Sequence, residues 1–163
     1  MLLRKVREGK CTLFVPVARI PERAEVFYHR EQALSRDLSI LIYKASVKEV
    51  LDSMSGTGAR AVRLSKNGLK VVANDISRKA VKVIELNRWV NDLDFEIRNE
   101  KAEIVFHSSK FEAVDLDPFG TPAPFLHCAL ECAKKIIGIT ATDTAALCGT
   151  YPRVGLRRYG VKL

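Results

Sequence analysis

A glycine-rich turn and a later aspartate have the spacing of a nucleotide-binding site. Residues 51–58 read LDSMSGTG, and Gly56 and Gly58 let the backbone turn sharply and let a ligand approach the start of a helix. Asp75 follows Gly58 by 17 residues, at the predicted end of the next strand, where a carboxylate can accept hydrogen bonds from both hydroxyls of a ribose. We therefore expect a nucleotide-like cofactor here.

The glycine pattern alone leaves the class of cofactor open. Residues 56–61, GTGARA, also satisfy the GxGxxA variant of the dinucleotide fingerprint, so an NAD-dependent enzyme is compatible with this turn. The distinction between cofactors has to come from another motif.

That motif is DLDPFG at residues 115–120, which resembles the (D/N)PP(Y/F) motif of amino-methyltransferases. The exocyclic amine of a base has its lone pair delocalised into the ring and needs an acceptor for its N–H. The Asp117 carboxylate and the Pro118 carbonyl can both accept. Phe119 offers a flat apolar surface for the base, and the fixed φ of Pro118 holds these groups in place.

An isolated Asp-Pro-Phe-Gly sequence is more often a simple β-turn. Here it follows the fourth predicted strand, at the same edge of the sheet as the glycine turn and Asp75. This placement favours an amino-methyltransferase over a dehydrogenase, with Asp117, Pro118 and Phe119 as the catalytic group.

The elements that must position these motifs alternate between strands and helices. This alternation predicts an α/β fold with a doubly wound, mostly parallel sheet of the Rossmann-like type. Ser77 is a candidate N-cap for the amphipathic helix after Asp75, and residues 100–107 show no clear pattern. The predicted strands are 47–54, 69–75, 94–98, 111–117 and 136–143, and the predicted helices are 36–46, 59–68, 77–92 and 122–135.

Two segments precede this core. The β-prone runs RKVR and CTLFVPV flank a Glu-Gly-Lys turn at 8–10 and predict a β-hairpin that packs outside the main sheet. Residues 22–33 predict a loop. We expect a single domain over 1–163, with the hairpin and a substrate loop at 1–35 and the cofactor-binding core at 36–163.

The composition favours a nucleic-acid partner. The 163 residues include 27 Lys and Arg against 19 Asp and Glu, a formal net charge of +8, and clustered cations gain affinity by displacing counterions from phosphates. No apolar run reaches the roughly 20 residues of a membrane span. The four cysteines form no CxxC pair and the first ten residues lack the apolar run of a signal peptide. We therefore expect a cytoplasmic protein without membrane or metal.

Several motifs together resemble the tRNA (guanine-26, N2)-dimethyltransferase family, especially its archaeal members. They are VFY, SRDLS, LDSMSGTGAR, NDIS, DLDPFGTPAPFL and TATDTAALCGTYPR, and they extend over almost the whole chain. The resemblance implies a class I methyltransferase fold. It also implies transfer of one or two methyl groups from S-adenosylmethionine to N2 of guanine 26 in tRNA, with S-adenosylhomocysteine as the by-product.

The resemblance also assigns roles to individual residues. Asp117 is implied as the acceptor for the amine, and Phe27 and Phe119 as aromatic residues that line the pocket for the target base. The implied cofactor contacts are Arg36, Asp52, Ser53, Gly56, Gly58, Arg60, Asp75 and Ile76.

The sequence departs from the family pattern near the cofactor adenine. The family has an acid in an NxDA pattern after the third strand, whereas residues 99–102 read NEKA. Lys101 thus takes the place of the acid, and we expect Lys101 and Ala102 beside the adenine.

The chain also ends at Leu163, before the closing strands and the C-terminal domain of the family pattern. We expect an open sheet edge that pairs with another copy or with a separate C-terminal tRNA-binding chain. Arg153 and the other arginines of the basic tail can each contact a phosphate, but this chain alone is predicted to bind tRNA weakly.

Two alternatives stay open at this point. An amino-methyltransferase acting on N6 of adenine in DNA or RNA would use the same Asp-Pro-Phe group with a differently shaped pocket. A short chain could also bind the cofactor or RNA without turnover.

Overall fold

The computed structural model describes residues 1–20 and 23–161. The first position of the loop predicted at 22–33 and the last two positions of the basic tail therefore lie outside the described residues.

An antiparallel hairpin begins the chain. Its strands, β1 (Leu3–Glu8) and β2 (Cys11–Pro16), pair along their whole length. They form a two-stranded sheet of their own, which confirms the prediction that the hairpin lies outside the main sheet.

Five parallel strands form the main sheet of the described chain. They are β3 (Glu49–Asp52), β4 (Lys70–Asn74), β5 (Glu96–Arg98), β6 (Phe111–Leu116) and β7 (Ala133–Ile139). Their order is β5-β4-β3-β6-β7, so the chain builds outward from β3 in one direction and from β6 in the other. Neighbouring β3 and β6, with Asp52 opposite Asp115, mark the switch point where such sheets bind ligands. The predicted α/β, doubly wound parallel sheet is confirmed.

Helices connect these strands. Within the described residues they are α1 (Ala33–Ser46), α2 (Ala59–Lys66), α3 (Arg78–Val90), α4 (Ala102–Ser108), α5 (Leu126–Cys132), α6 (Thr144–Leu147) and α7 (Pro152–Tyr159), with single 3-10 turns at Arg30–Gln32 and Ala123–Phe125. Ser77 caps α3 as predicted, because its side chain accepts a hydrogen bond from the Ala80 amide.

Several predicted boundaries are wrong. The helix predicted at 122–135 ends at Cys132, because the next residues already pair with β6, Ala133 lying opposite Phe111. The strand predicted to continue to 143 ends at Ile139. The segment without a clear pattern forms α4, and part of the basic tail forms α7.

The sheet is buried on both faces. Successive residues of each strand point to opposite sides, and Val50 packs into one core cluster with α1, α2 and the hairpin, whereas Leu51 packs into a second cluster with α4 and α5. Burial on both faces explains why these strands read as continuous apolar runs rather than as an alternation.

Helix α1 approaches the sheet closely at one glycine. A Cβ atom placed on Gly138 of β7 would lie 2.0 Å from the hydroxyl oxygen of Tyr43. Tyr43 is 2% exposed, so its ring cannot turn aside into solvent. Gly138 is therefore required by the position of the Tyr43 hydroxyl.

Replacing Gly138 by alanine is expected to lower the free energy of unfolding by roughly 1–3 kcal/mol, as overpacking of a core does. Tyr43→Phe removes the colliding oxygen, so the double variant Gly138→Ala/Tyr43→Phe should lose less than the sum of the two single losses. Urea unfolding of the four proteins measures this coupling. Additive losses would show that the hydroxyl does not set the requirement for glycine.

Candidate functional site

The carboxyl ends of β3, β4 and β6 open onto a cavity of about 960 Å³. This volume is at the upper end of the range of roughly 300–1,000 Å³ for small-molecule sites. All of the predicted site residues except Gly58 and Arg153 line this cavity: Phe27, Arg36, Asp52, Ser53, Gly56, Arg60, Asp75, Ile76, Lys101, Ala102, Asp117, Pro118 and Phe119.

The backbone and the packing around the turn also require both glycines. Both have positive φ, +54° for Gly56 and +73° for Gly58. A Cβ on Gly56 would lie 3.0 Å from the carbonyl oxygen of Phe27, and a Cβ on Gly58 would lie 3.1 Å from Ile84 of α3. Gly58 thus allows α2 to pack on α3, and the structure does not place it in the cavity lining.

Asp75 lies at the end of β4 with its carboxylate held by backbone amides. Its Oδ2 accepts from the Gly56 amide and its Oδ1 accepts from the Ser77 amide, both at 2.8 Å. Burial raises the pKa of Asp75, and these two amide bonds oppose the rise. Each carboxylate oxygen can accept more than one hydrogen bond, so both retain capacity for the hydroxyls of a ribose.

The loop after Asp75 presents an apolar side chain to the cavity. Ile76 is 65% exposed, and the Asn99 side-chain amide holds its backbone by donating to the carbonyls of Asp75 and Ile76 at 2.8 and 3.0 Å. The buried Asn74 donates to the carbonyls of Ser53 and Glu100. These amide bonds fix the carboxyl ends of the strands relative to one another.

A buried ion-pair chain lies behind Asp117. The Nη2 of Arg60 donates to Oδ2 of Asp117 at 2.8 Å, and Nη1 donates to Oγ of Ser39 at 2.6 Å. The Nε of Arg60 lies 3.1 Å from Oδ1 of Asp115, and the hydroxyl of Tyr43 donates to Oδ2 of Asp115 at 2.7 Å. Arg60, expected as a cofactor contact, lines the cavity but directs its guanidinium at these aspartates.

Sequence reasoning missed Asp115 and Tyr43. The available signal was Asp115 in the apolar second half of the strand FEAVDL, because a carboxylate there has to pair when both faces of the sheet are buried. Burial raises the pKa of Asp115, while Arg60 and the Tyr43 hydroxyl oppose the rise. Burial and the neighbouring Asp115 likewise raise the pKa of Tyr43, so its hydroxyl keeps the proton that it donates.

Asp52 adds a third carboxylate to this region. It is buried, and its Oδ2 accepts from the Ala61 amide in the first turn of α2 at 3.1 Å. Burial and the charge of Asp115 raise the pKa of Asp52 to about 7, against an opposing contribution from Arg60. Asp52 is therefore partly protonated at neutral pH.

Two aromatic rings meet at the mouth of the cavity. The centroids of the Phe27 and Phe119 rings are 4.8 Å apart with an interplanar angle of 79°, an edge-to-face contact. Phe119 is 68% exposed. The structure thus brings together the two aromatic residues that the family resemblance assigns to the base pocket.

Arg36 is bound to a carboxylate of the hairpin. Its Nε and Nη2 donate to the two oxygens of Glu8 at 2.8 and 2.6 Å, and Tyr28 and Arg63 donate to the same carboxylate at 2.9 Å. Burial would raise the pKa of Glu8, but Arg36, Tyr28 and Arg63 lower it below its usual value. Arg36 lines the cavity, so a cofactor contact through it stays a prediction. Sequence reasoning missed Glu8.

Of the remaining predicted residues, Lys101 and Ala102 lie on the cavity, whereas Arg153 does not. Lys101 is the N-cap residue of α4 and is exposed, Ala102 is buried behind it, and Glu103 lines the cavity beside them. Arg153 is exposed on α7.

Among residues 1–20 and 23–161, no helix is long and apolar enough to cross a membrane.

Comparison with known proteins gives consistent matches over nearly the whole chain. A sequence model of the family TRM, N2,N2-dimethylguanosine tRNA methyltransferase, matches residues 5–163. The tRNA (guanine(26)-N(2))-dimethyltransferase of Archaeoglobus fulgidus is 44% identical over 137 residues, 83% of this chain and 39% of that protein. Its counterpart in Pyrobaculum aerophilum is 42% identical over 170 aligned positions, 94% of this chain and 46% of that protein.

Two solved structures also resemble this chain. Trm1 from Pyrococcus horikoshii, in a complex with S-adenosyl-L-methionine, matches with a TM-score of 0.87 and 36% identity over 99% of this chain and 49% of that one. The tRNA m1G37 methyltransferase of M. jannaschii shares the fold, with a TM-score of 0.65 and 22% identity over 81% of this chain and 38% of that one. The chain spans half or less of the length of these relatives.

Asp52→Asn is expected to raise the free energy of unfolding, and to do so more at pH 8 than at pH 5. The folded pKa of about 7 lies above the usual value of 3.8. The fold therefore holds a proton that the unfolded chain releases, and stability falls as the pH rises from about 4 to 7. Asparagine keeps an acceptor for Ala61 without this cost. We expect a gain of roughly 1–3 kcal/mol at pH 8, measured by urea unfolding.

Asp94→Asn is the matched control, because Asp94 is exposed and the chemical change is the same. It should leave stability unchanged at both pH values. A gain for Asp52→Asn that is equal at pH 5 and pH 8 would show that Asp52 does not titrate in this range.

Proposed function

Since the chain belongs to the N2,N2-dimethylguanosine tRNA methyltransferase family, we propose that it transfers methyl groups from S-adenosylmethionine to the exocyclic N2 of guanine 26 in tRNA. One observation carries the proposal. The nucleotide-type group of Gly56, Asp75 and Ile76 and the amine-acceptor group of Asp117 and Phe119 line a single cavity. Donor and acceptor of a methyl group need to meet in such a shared space.

The residues present fit S-adenosylmethionine. The Asp75 carboxylate has remaining acceptor capacity for two ribose hydroxyls, and the exposed Ile76 offers an apolar surface for adenine. Lys101 and Ala102 lie at the N-terminal end of α4 on the same cavity. When bound, S-adenosylmethionine supplies a methyl group attached to a sulfonium. Its neutral thioether leaves without help from a metal.

Asp117 and Pro118 are proposed to hold the amine of the base. Arg60 occupies Oδ2 of Asp117, and no donor to Oδ1 is present in the described part of the chain. Oδ1 and the Pro118 carbonyl can therefore accept the N–H groups and direct the nitrogen lone pair into the cavity. The amine becomes far more acidic once methylated and then loses its proton, so Asp117 acts by orientation rather than as a strong base.

Phe27 and Phe119 are proposed to hold the ring of the base. A ring stacked between two others needs about 7 Å, two contacts of about 3.5 Å each, whereas these centroids are 4.8 Å apart in an edge-to-face pair. Phe119 is the more exposed residue, so its ring has to turn for a base to enter. Extrusion of the guanine from its stack costs a few kcal/mol, which contacts to the rest of the tRNA have to offset.

We propose that these additional tRNA contacts include Arg153 on α7 and a region that the longer relatives carry beyond the matched part. Three arginines of this tail can each contact one phosphate, and three such contacts give modest, salt-dependent affinity. We therefore expect methylation of tRNA to increase when the C-terminal region of a relative is supplied as a separate chain. Action on tRNA also suggests a cytoplasmic location.

Mass spectrometry of nucleosides from unmodified tRNA, after incubation with labelled S-adenosylmethionine, tests the function. The expected products are N2-methylguanosine and N2,N2-dimethylguanosine at position 26. Labelled N6-methyladenosine would instead support the adenine alternative, and no labelled nucleoside with the C-terminal region present would contradict the activity.

Asp75→Ala is expected to weaken the binding of S-adenosylmethionine by roughly 1.5–3 kcal/mol, because charge-assisted hydrogen bonds to the ribose are lost. Isothermal calorimetry measures this change, with Asp94→Ala, an exposed aspartate outside the cavity, as the control. Unchanged affinity would contradict the ribose position. Competition by NAD at similar concentrations would contradict the class of cofactor.

Asp117→Ala is expected to leave the affinity for S-adenosylmethionine nearly unchanged and to lower the single-turnover rate of methyl transfer by about two orders of magnitude or more. Arg60 keeps Asp115 as a partner, so the fold should persist, and urea unfolding checks this. A near-normal rate would contradict the catalytic role and would show that the Asp-Pro-Phe-Gly segment is only a structural turn.

A further inference from the structure

Building on the proposed role of Asp117, we infer that Tyr43 and Asp115 are positioning residues for methyl transfer, which act through Arg60 to fix the Asp117 carboxylate. Neither residue is among those that line the cavity. Their effect on the reaction would therefore pass through the guanidinium of Arg60, which contacts both Asp115 and Asp117.

Arg60 is fixed at each of its three nitrogens. Nε faces Asp115 at 3.1 Å, Nη1 donates to Ser39 at 2.6 Å, and Nη2 donates to Asp117 at 2.8 Å. A planar guanidinium has rigid geometry, so contacts at Nε and Nη1 set the direction in which Nη2 points. The rotamer of Asp117 follows from this direction, because its Oδ2 accepts from Nη2.

Asp115 in turn depends on Tyr43. Asp115 is 2% exposed, and its Oδ1 accepts no hydrogen bond of good geometry within the described chain although Arg60 is near. The Tyr43 hydroxyl is thus the hydrogen-bond donor that holds the carboxylate, at 2.7 Å on Oδ2. The space for this hydroxyl exists because Gly138, opposite Asp115 on β7, has no side chain.

The ionised form of Asp115 is what attracts Arg60. Burial raises the pKa of Asp115, and the Tyr43 hydroxyl opposes the rise. The titratable or charged groups around Asp115 are Tyr43 on α1, Arg60 on α2, Asp52 on β3 and Asp117 after β6, while β7 contributes Gly138. Loss of the Tyr43 hydroxyl should raise the pKa of Asp115 further, so that Asp115 is protonated and Arg60 is released at a higher pH than in the unchanged protein.

The test compares Tyr43→Phe, Asp115→Asn and the unchanged protein in single-turnover transfer to tRNA, from pH 5.5 to 9, with the C-terminal region of a relative supplied if needed. Tyr43→Phe is expected to lower the rate about tenfold at pH 6.5 and to shift the acid limb of the pH profile upward by about one unit. Its affinity for S-adenosylmethionine should change less than about twofold, since no cofactor contact is altered. The charge of Asp115 raises the pKa of Asp52, so the difference between the two profiles measures the shift of these two carboxylates together.

Asp115→Asn should lower the rate at every pH, without recovery at high pH, because asparagine cannot ionise. The control is Val71→Ala, a buried core change on β4 away from the cavity, which should lower stability but keep the rate and the pH profile. A Tyr43→Phe profile that matches the profile of Val71→Ala would overturn the inference. If Asp117→Ala itself retained activity, the proposed catalytic role would fail instead, so the two failures are distinguishable.

Discussion

A single buried guanidinium, that of Arg60, constrains the arrangement of the site. A cation removed from water has to be paired, and Arg60 contacts Asp115 and Asp117, with the buried Asp52 close enough to interact. Three carboxylates share one cation, so burial and mutual repulsion raise the pKa of Asp52 to about 7. Tyr43 then supplies the additional hydrogen bond that Asp115 needs. This bond also ties α1 to β6.

The buried carboxylate of Glu8 forms a second such centre, behind Arg36 and Tyr28, which both line the cavity. It accepts from Arg36 of α1, Arg63 of α2 and Tyr28 of the loop that carries Phe27. A hairpin outside the main sheet therefore anchors both a helix and the loop that carries Phe27. The depressed pKa of Glu8 means that this anchor stabilises the fold above the usual carboxylate pKa and weakens as the pH falls through the folded value.

The sequence was informative where function imposes a local pattern. The glycine turn, Asp75 and the Asp-Pro-Phe-Gly segment each occupy a few consecutive residues at strand ends, and strand order brings them together. The partners of Asp115 and Glu8 could not be assigned, because they are distant in the chain and are defined by tertiary packing alone. The boundary at Ala133 was missed for a similar reason, since pairing with β6 overrides a helical pattern.

Burying the ion pairs of Arg60 with Asp115 and Asp117 costs free energy, and this cost indicates why the protein has them. A buried ion pair is often no more stabilising than apolar residues of the same volume, so stability is a weak reason for placing Arg60 here. A stronger reason is preorganisation, because charges and dipoles that are already fixed need not rearrange during a reaction. Arg60 holds Asp117 from behind. Thr142 holds the backbone of Gly120 by two hydrogen bonds, because the Gly120 amide donates to the Thr142 side-chain Oγ1 and the Thr142 amide donates to the Gly120 carbonyl. Between these anchors Phe119 is the exposed side chain. The Asp117 carboxylate is therefore held fixed while the Phe119 ring is free to turn, as the proposed entry of a base requires.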